Sequence, residues 1–204
     1  MEEYKIVVVG QGDVSQLTMD FLMGPTLNTA IDSYRKTCLV DDEPVILDIF
    51  TTAGQETYMA MREQYLRIAD GILLVYSITD RSSFEEAISY RDIIRRVKDS
   101  SEEFNQVVLA ANDCISSGKY EEPRTVGRAE GRDLSRDFGY PIHEISTKHR
   151  ENIEGPFYDL VRIIRRNQKL RHGAGLIKAA ALDGRVDELL ESSKKRQGNK
   201  CVIS

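Results

Sequence analysis

Residues 7–23, "VVVGQGDVSQLTMDFLM", hold the segment whose residue types and spacing come nearest to a reaction site. A β-branched apolar run ends at Gly10, passes Gln11, Gly12 and Asp13, and enters a stretch with amphipathic helical spacing. This is the layout of a phosphate-binding loop, G-x-x-x-x-G-K-S/T, in which backbone N–H groups cradle phosphate, a lysine reaches its outer oxygens and a hydroxyl binds Mg²⁺. No lysine follows here. Counted without gaps, Ser15, Gln16 and Leu17 replace the glycine, the lysine and the hydroxyl residue. Counted against the helix pattern, a Gly-Lys pair is missing and Ser15 is the hydroxyl residue; this alignment is preferred because it keeps Leu17, Phe21 and Leu22 on one buried face. Asp13 brings a carboxylate to the place of an anion, and Asp13 or Ser15 can cap the helix by accepting from its orphan N–H groups. At the other end, Cys201-Val202-Ile203-Ser204 forms a C-a-a-X box whose terminal Ser favours farnesyl on Cys201. Lys194, Lys195, Arg196 and Lys200 lie upstream, the polybasic second signal that a single lipid chain needs.

The elements that must position these residues alternate. Strand-like runs occur at 4–9, 35–40, 45–50, 71–78, 106–111 and 140–145, and helical patterns near 15–23, 80–98, 127–138 and 152–168. Only "DDEP" separates the second and third runs, which leaves room for a hairpin turn and none for a crossover helix. The expected fold is α/β: a P-loop-type, doubly wound, six-stranded and mostly parallel sheet with one antiparallel edge strand and helices on both faces. Ligands in such a sheet bind at the carboxyl ends of the strands. The 204 residues carry a net charge of −5, which argues against a nucleic-acid binder, since phosphate backbones demand clustered Lys and Arg on the docking face. Cys38, Cys114 and Cys201 have no disulfide-framework or metal-ligand spacing, and no signal peptide or membrane span is read. Past about residue 170 the chain turns polar and glycine-punctuated and reads as a flexible tail, with one helical pattern at "LDGRVDELLESSKK".

Over residues 1–168, and again at the last four, the chain resembles the Ras family of small GTPases. The resemblance rests on "EYKIVVVGQGDV", "DSYRK" (32–36), "LDIFTTAGQETYMAMREQYLR" (47–67), "SFEEAISYRDIIRRVKDS" (83–100) and "EISTK" (144–148). It implies a Ras-like G domain over 1–168, a basic tail over 169–200 and the prenylation box at 201–204. It also implies GTP/GDP and Mg²⁺ as cofactors, with nucleotide-binding positions at Gly10, Gln11, Gly12, Asp13, Val14, Ser15, Thr29, Gly54, Asn112, Asp113, Ser146, Thr147 and Lys148. Mg²⁺ would fall to Ser15 and Thr29, with Thr26 as an alternative. Gln55 takes the water-orienting position, a role for which Ras itself is the standard illustration.

Several of these positions depart from the family pattern. Thr51 stands where the Mg²⁺-shell aspartate belongs and brings no charge to a hard dication. Ile115 stands where an aspartate accepts two hydrogens from guanine. The implied retention of Asn112, Ser146, Thr147 and Lys148 is equally well served by tying strand ends together. The sequence therefore predicts a membrane-anchored Ras-like signalling protein that has lost most or all GTP binding and hydrolysis, with Gln55 idle; the alternative is an atypical but working GTPase switch. Effectors or regulators are expected at the edge strand, Asp32, Ser33, Tyr34, Arg35 and Lys36, by strand addition. The expected location is the cytoplasmic face of the plasma membrane or an endomembrane.

Overall fold

The computed structural model describes residues 1–22, 29–30, 33–51, 59–98, 104–114 and 123–182. In chain order the elements are β1 (Glu2–Gly10), α1 (Val14–Leu22), β2 (Thr29–Ala30), β3 (Ser33–Val40), β4 (Glu43–Thr51), α2 (Met59–Ile68), β5 (Gly71–Ser77), α3 (Arg81–Lys98), β6 (Val107–Asp113), α4 (Arg128–Phe138), β7 (Ile142–Ser146) and α5 (Gly155–Leu182). They form one sheet in the order β2-β3-β4-β1-β5-β6-β7. The five strands β4, β1, β5, β6 and β7 run parallel. β3 is antiparallel to β4. The short β2 adds only two residues to the sheet, pairing Thr29 with Tyr34 and Ala30 with Ser33.

Burial explains why these runs are strands. Ile72, Leu73, Leu74 and Val75 of β5 are fully buried, as an inner parallel strand covered on both faces requires. On one face Tyr4, Ile6, Val8, Leu47 and Ile49 pack against Leu17 and Phe21 of α1 and Phe157, Leu160 and Ile164 of α5. There Phe21 stacks on Phe157 with ring centroids 3.9 Å apart. On the other face Val7, Val9, Ile72 and Leu74 meet Phe84 and Ile94 of α3 and Leu134 and Phe138 of α4. The preferred alignment of α1 required Leu17, Phe21 and Leu22 to be buried, and all three are. The turn between β3 and β4 is made by Asp41 and Asp42 at φ 54° and 62°, the paired positive φ of a tight hairpin whose twist matches its strands.

α5 continues past the boundary expected at residue 168 and runs to Leu182. The extension is rich in Leu, Lys, Arg and Ala, which favour helix strongly enough to carry Gly173 and Gly175. Residues 169–182 are therefore helix. The chain divides into two compact units, Met1–Ile164 with the whole sheet and Arg165–Ser204. The helical pattern expected beyond residue 182, the tail cations and the C-a-a-X box lie outside the described residues.

Candidate functional site at the carboxyl rim of the sheet

The loop from Gly10 to Asp13 joins β1 to α1 with two glycines in the positive-φ region, Gly10 at 103° and Gly12 at 115°. Both are required. A Cβ on Gly10 would overlap the Val75 carbonyl oxygen, and one on Gly12 would stand 2.6 Å from the Ser77 amide nitrogen, so the loop lies directly on β5. Asp13, at φ 59°, ends the loop. Its carbonyl accepts the first helical bond from Leu17 N–H at 3.0 Å, and its carboxylate Oδ1 accepts from Gln16 N–H at 3.3 Å. Of the two expected caps, Asp13 is the one used; Ser15 is the second residue inside α1. Gln11 reaches across to α3 and donates to Glu86 Oε2. The loop is thus held by its own side chains.

Behind it, Tyr76 is buried, and its hydroxyl would be 2.7 Å from a Cβ on Gly131 of α4. Burial, reinforced by the Glu144 carboxylate, pushes the phenol up to about 12.

Further along the rim, Asn112 at the end of β6 is fully buried. Its Nδ2 donates to the Gly12 carbonyl at 2.7 Å and to Thr147 Oγ1 at 3.1 Å, while Oδ1 accepts from Thr147 N–H at 3.0 Å. One side chain thus joins β6, the β1–α1 loop and the segment after β7. Ser146 Oγ donates to the Asp113 carbonyl at 3.2 Å and accepts from His149 N–H at 3.0 Å. Lys148 N–H donates to the same Asp113 carbonyl at 3.3 Å. Arg150 lies 3.6 Å from Asp20 of α1, whose side chain is 4% exposed and whose Oδ1 also accepts from Gln16 Nε2 at 2.9 Å. The structure brings Gly10, Gly12, Asn112 and Thr147 together, with Asp113, Ser146 and Lys148 tied beside them. The bonds from Gln11 to Glu86 and from Arg150 to Asp20 were not anticipated, because both join segments far apart in sequence.

Thr51 ends β4 half-buried, in register with Val8 of β1. Thr29 belongs to β2. Gly54, Gln55, Thr26, Asp32 and Ile115 lie outside the described residues. A phosphate oxygen needs free helix N-terminal N–H groups and positive charge, whereas this helix start holds a carboxylate that already accepts from Gln16 N–H. A divalent cation needs anionic oxygen at the Thr51 position, and a hydroxyl stands there. Among the described residues, the helix start thus carries a carboxylate on the Gln16 N–H and the end of β4 a hydroxyl.

At the sheet edge, Tyr34, Arg35 and Lys36 occupy β3, and along Arg35–Val40 no strand among the described residues pairs with its outer side. Arg35 forks onto Asp48 at 2.7 and 3.0 Å and reaches Glu3 at 2.7 Å. Its hydrogen bond holds the Asp48 carboxyl below the usual carboxylate range, against the partial burial that opposes it. Lys36 was expected to face partners. Instead its side chain is only 15% exposed; the ammonium sits 4.0 Å over the Phe21 ring and donates to the Phe21 carbonyl at the end of α1, where the helix dipole favours a cation.

A mostly parallel, doubly wound sheet with a glycine turn leading from its first strand into a helix is consistent with a P-loop-type α/β fold. The chain belongs to the Ras family: the family model described as "Ras family" matches residues 5–166. A curated relative, a "Ras-like protein" from Laccaria bicolor, is 40% identical over 209 aligned residues, covering 100% of this chain and 97% of the relative.

Proposed function

We propose that this chain is a membrane-peripheral Ras-family signalling protein that works by binding proteins and has lost most or all GTP binding and hydrolysis. The observation that carries the reading is the Asp13 carboxylate accepting from Gln16 N–H in a loop without lysine. Charge-assisted hydrogen bonds contribute roughly 1.5–3 kcal/mol each. Without the lysine and the guanine-reading aspartate the deficit is about 3–6 kcal/mol, on the order of 10²–10⁴ in affinity. Thr51 in place of the metal-shell aspartate adds to it. Partners of the effector or regulator type would dock on β3 by strand addition, with Tyr34 and Arg35 as the side chains on offer. Farnesyl on Cys201, with Lys194, Lys195, Arg196 and Lys200, would hold the protein to the cytoplasmic face of a membrane.

The test is the nucleotide content of the purified protein, followed by titration with GDP and GTP in Mg²⁺. The expected result is no co-purifying nucleotide and affinity weakened by the factor above; tight, stoichiometric guanine nucleotide would overturn the reading. Cys201→Ser should release the protein from membranes in cells, and unchanged attachment would remove the anchor. A second reading, an atypical GTPase using Ser15, Thr29 and Gln55, is favoured by the retained Gly54-Gln55 pair. It predicts nucleotide-dependent protection of residues 24–36 and 51–62 from hydrogen exchange, and it fails if saturating nucleotide changes nothing.

A further inference from the structure

Four residues of α3 at steps of four, Glu86, Tyr90, Ile94 and Lys98, share one ridge of the helix. Glu86 accepts from Gln11 of the β1–α1 loop. One turn on, the Tyr90 hydroxyl accepts from Arg62 Nη1 of α2 at 3.0 Å, and the Arg62 guanidinium stands 5.5 Å from the Tyr90 ring centroid. The Gly10 N–H donates to the same hydroxyl oxygen; like Arg62, it works against the burial that raises this phenol above its ordinary value. Ile94 is fully buried in the core cluster that also takes Leu66 of α2. Lys98 donates to the carbonyls of Arg67 and Ala69, where the end of α2 favours a cation. Beside the ridge, Arg96 meets Glu63 at 2.8 Å, an exposed pair that adds little.

We propose that this ridge of α3 holds α2 and the β1–α1 loop in one arrangement that guanine nucleotide does not change, with Tyr90 as the joint between them. It builds on the preceding reading and supplies its regulation: partners that touch α2 meet the same surface whatever the nucleotide supply. The chemistry favours a fixed joint. Tyr90 is 3% exposed, so movement of α2 away from it would give up a charge-assisted hydrogen bond and leave a buried hydroxyl short of a partner. The loop is tied to the same helix twice, through Gly10 N–H and through Gln11. Loosening Tyr90 therefore reaches both α2 and the loop, whereas loosening Glu86 reaches the loop alone.

The experiment is hydrogen exchange on the full chain, first stripped of any nucleotide with EDTA and alkaline phosphatase, then with GDP or GTP in Mg²⁺. The amides of residues 62–68 should be protected in the stripped chain, with rates that agree within about twofold in all three states. Tyr90→Phe keeps the ring and removes the hydroxyl. It should speed exchange of residues 62–68 and of residues 10–17 by about tenfold or more, the worth of one charge-assisted hydrogen bond, while residues 107–113 of β6 keep their protection. Glu86→Ala should speed residues 10–17 alone. If Tyr90→Phe also frees β6, the fold itself has gone, and Arg62→Met must then free residues 62–68 by a similar factor with β6 intact. Residues 62–68 open in the stripped chain, protection that appears only with nucleotide, a Tyr90→Phe chain that changes neither segment or only one, or an Arg62→Met chain with α2 unchanged would each overturn the proposal. Tight nucleotide binding with α2 rates unchanged would fail the preceding reading and leave the ridge in place.

Discussion

At the glycine-loop side of the rim, the loop side chains bond to the adjoining helices: Asp13 accepts from Gln16 N–H of α1 and Gln11 donates to Glu86 of α3. Further along the same strand ends, Asn112 makes hydrogen bonds that hold Gly12 and Thr147 in place. The first region carries a carboxylate and no lysine, while the second holds polar side chains that bond to neighbouring segments of the chain. The difference teaches which residues such a site can surrender. A lysine that serves only a ligand can vanish without cost to the sheet. A buried carboxamide that also satisfies a carbonyl and an N–H of neighbouring segments cannot, because each would be left unpaired in the interior.

The comparison breaks most readily at Asn112. Asn112→Ala leaves the Gly12 carbonyl and the Thr147 N–H without the partner they have now, in a fully buried position. The expected loss is about 2–4 kcal/mol of unfolding free energy in urea, the range for opening a buried polar network. It should be the same with and without GTP in the buffer. A loss under about 1 kcal/mol would mean the network ties nothing, and a loss seen only with nucleotide would return Asn112 to ligand binding.

Tyr76 sharpens the same contrast from beneath the phosphate loop. Its phenol titrates at about 12, raised above the ordinary value near 10 by burial first and the Glu144 charge second. The folded state therefore binds the proton more tightly than the unfolded one. The stabilising contribution is complete below pH 10 and is lost as pH climbs from 10 through 12, about 2–3 kcal/mol in all. Urea unfolding between pH 9 and 11.5 should show stability falling across this window, and Tyr76→Phe should flatten the fall. Tyr158, also held up to about 12 by burial, contributes in the same window, so removing both phenols should flatten the fall further than either substitution alone. A slope that Tyr158→Phe removes and Tyr76→Phe leaves intact would show that the loop does not rest on a closed layer.

Much of this was readable from sequence, and the exceptions have physical causes. β1, β5 and β6 announce themselves because strands buried on both faces are unbroken apolar runs, and the β3–β4 hairpin because nothing else fits between them. β2 is two residues long, too short for any period to register. The α5 extension was hidden by Gly173 and Gly175, each costing about 1 kcal/mol against Ala, an amount the neighbouring Ala, Leu and Lys residues recover. Period-two alternation already set Arg35 and Lys36 on opposite faces, but the inward hold on Lys36 depended on the carbonyl of Phe21, fifteen residues earlier in the chain and brought close only by the packed α1. The bond from Asn112 to Gly12 spans 100 residues, and no local pattern carries it.

The smallest expected effect bears on how the β1–α1 loop is held. Asp13 combines two properties, a left-handed backbone at φ 59° and a carboxylate on the N–H of Gln16. Substitutions can take these away singly. Asp13→Ala removes the acceptor and also places a Cβ without a compensating hydrogen bond in the left-handed region, so it should cost about 1–2 kcal/mol. Asp13→Gly removes the same acceptor but adopts that backbone freely, and should cost only a few tenths of a kcal/mol. Asp13→Asn keeps an acceptor and a residue tolerant of positive φ, and should stay near the parent stability. The order to be found in thermal or urea unfolding is therefore Asn, Gly, Ala from most to least stable. A variant series in which Ala equals the parent would show that the carboxylate is not closing the loop, and the contrast between the two sides of the rim would then rest on Asn112 alone.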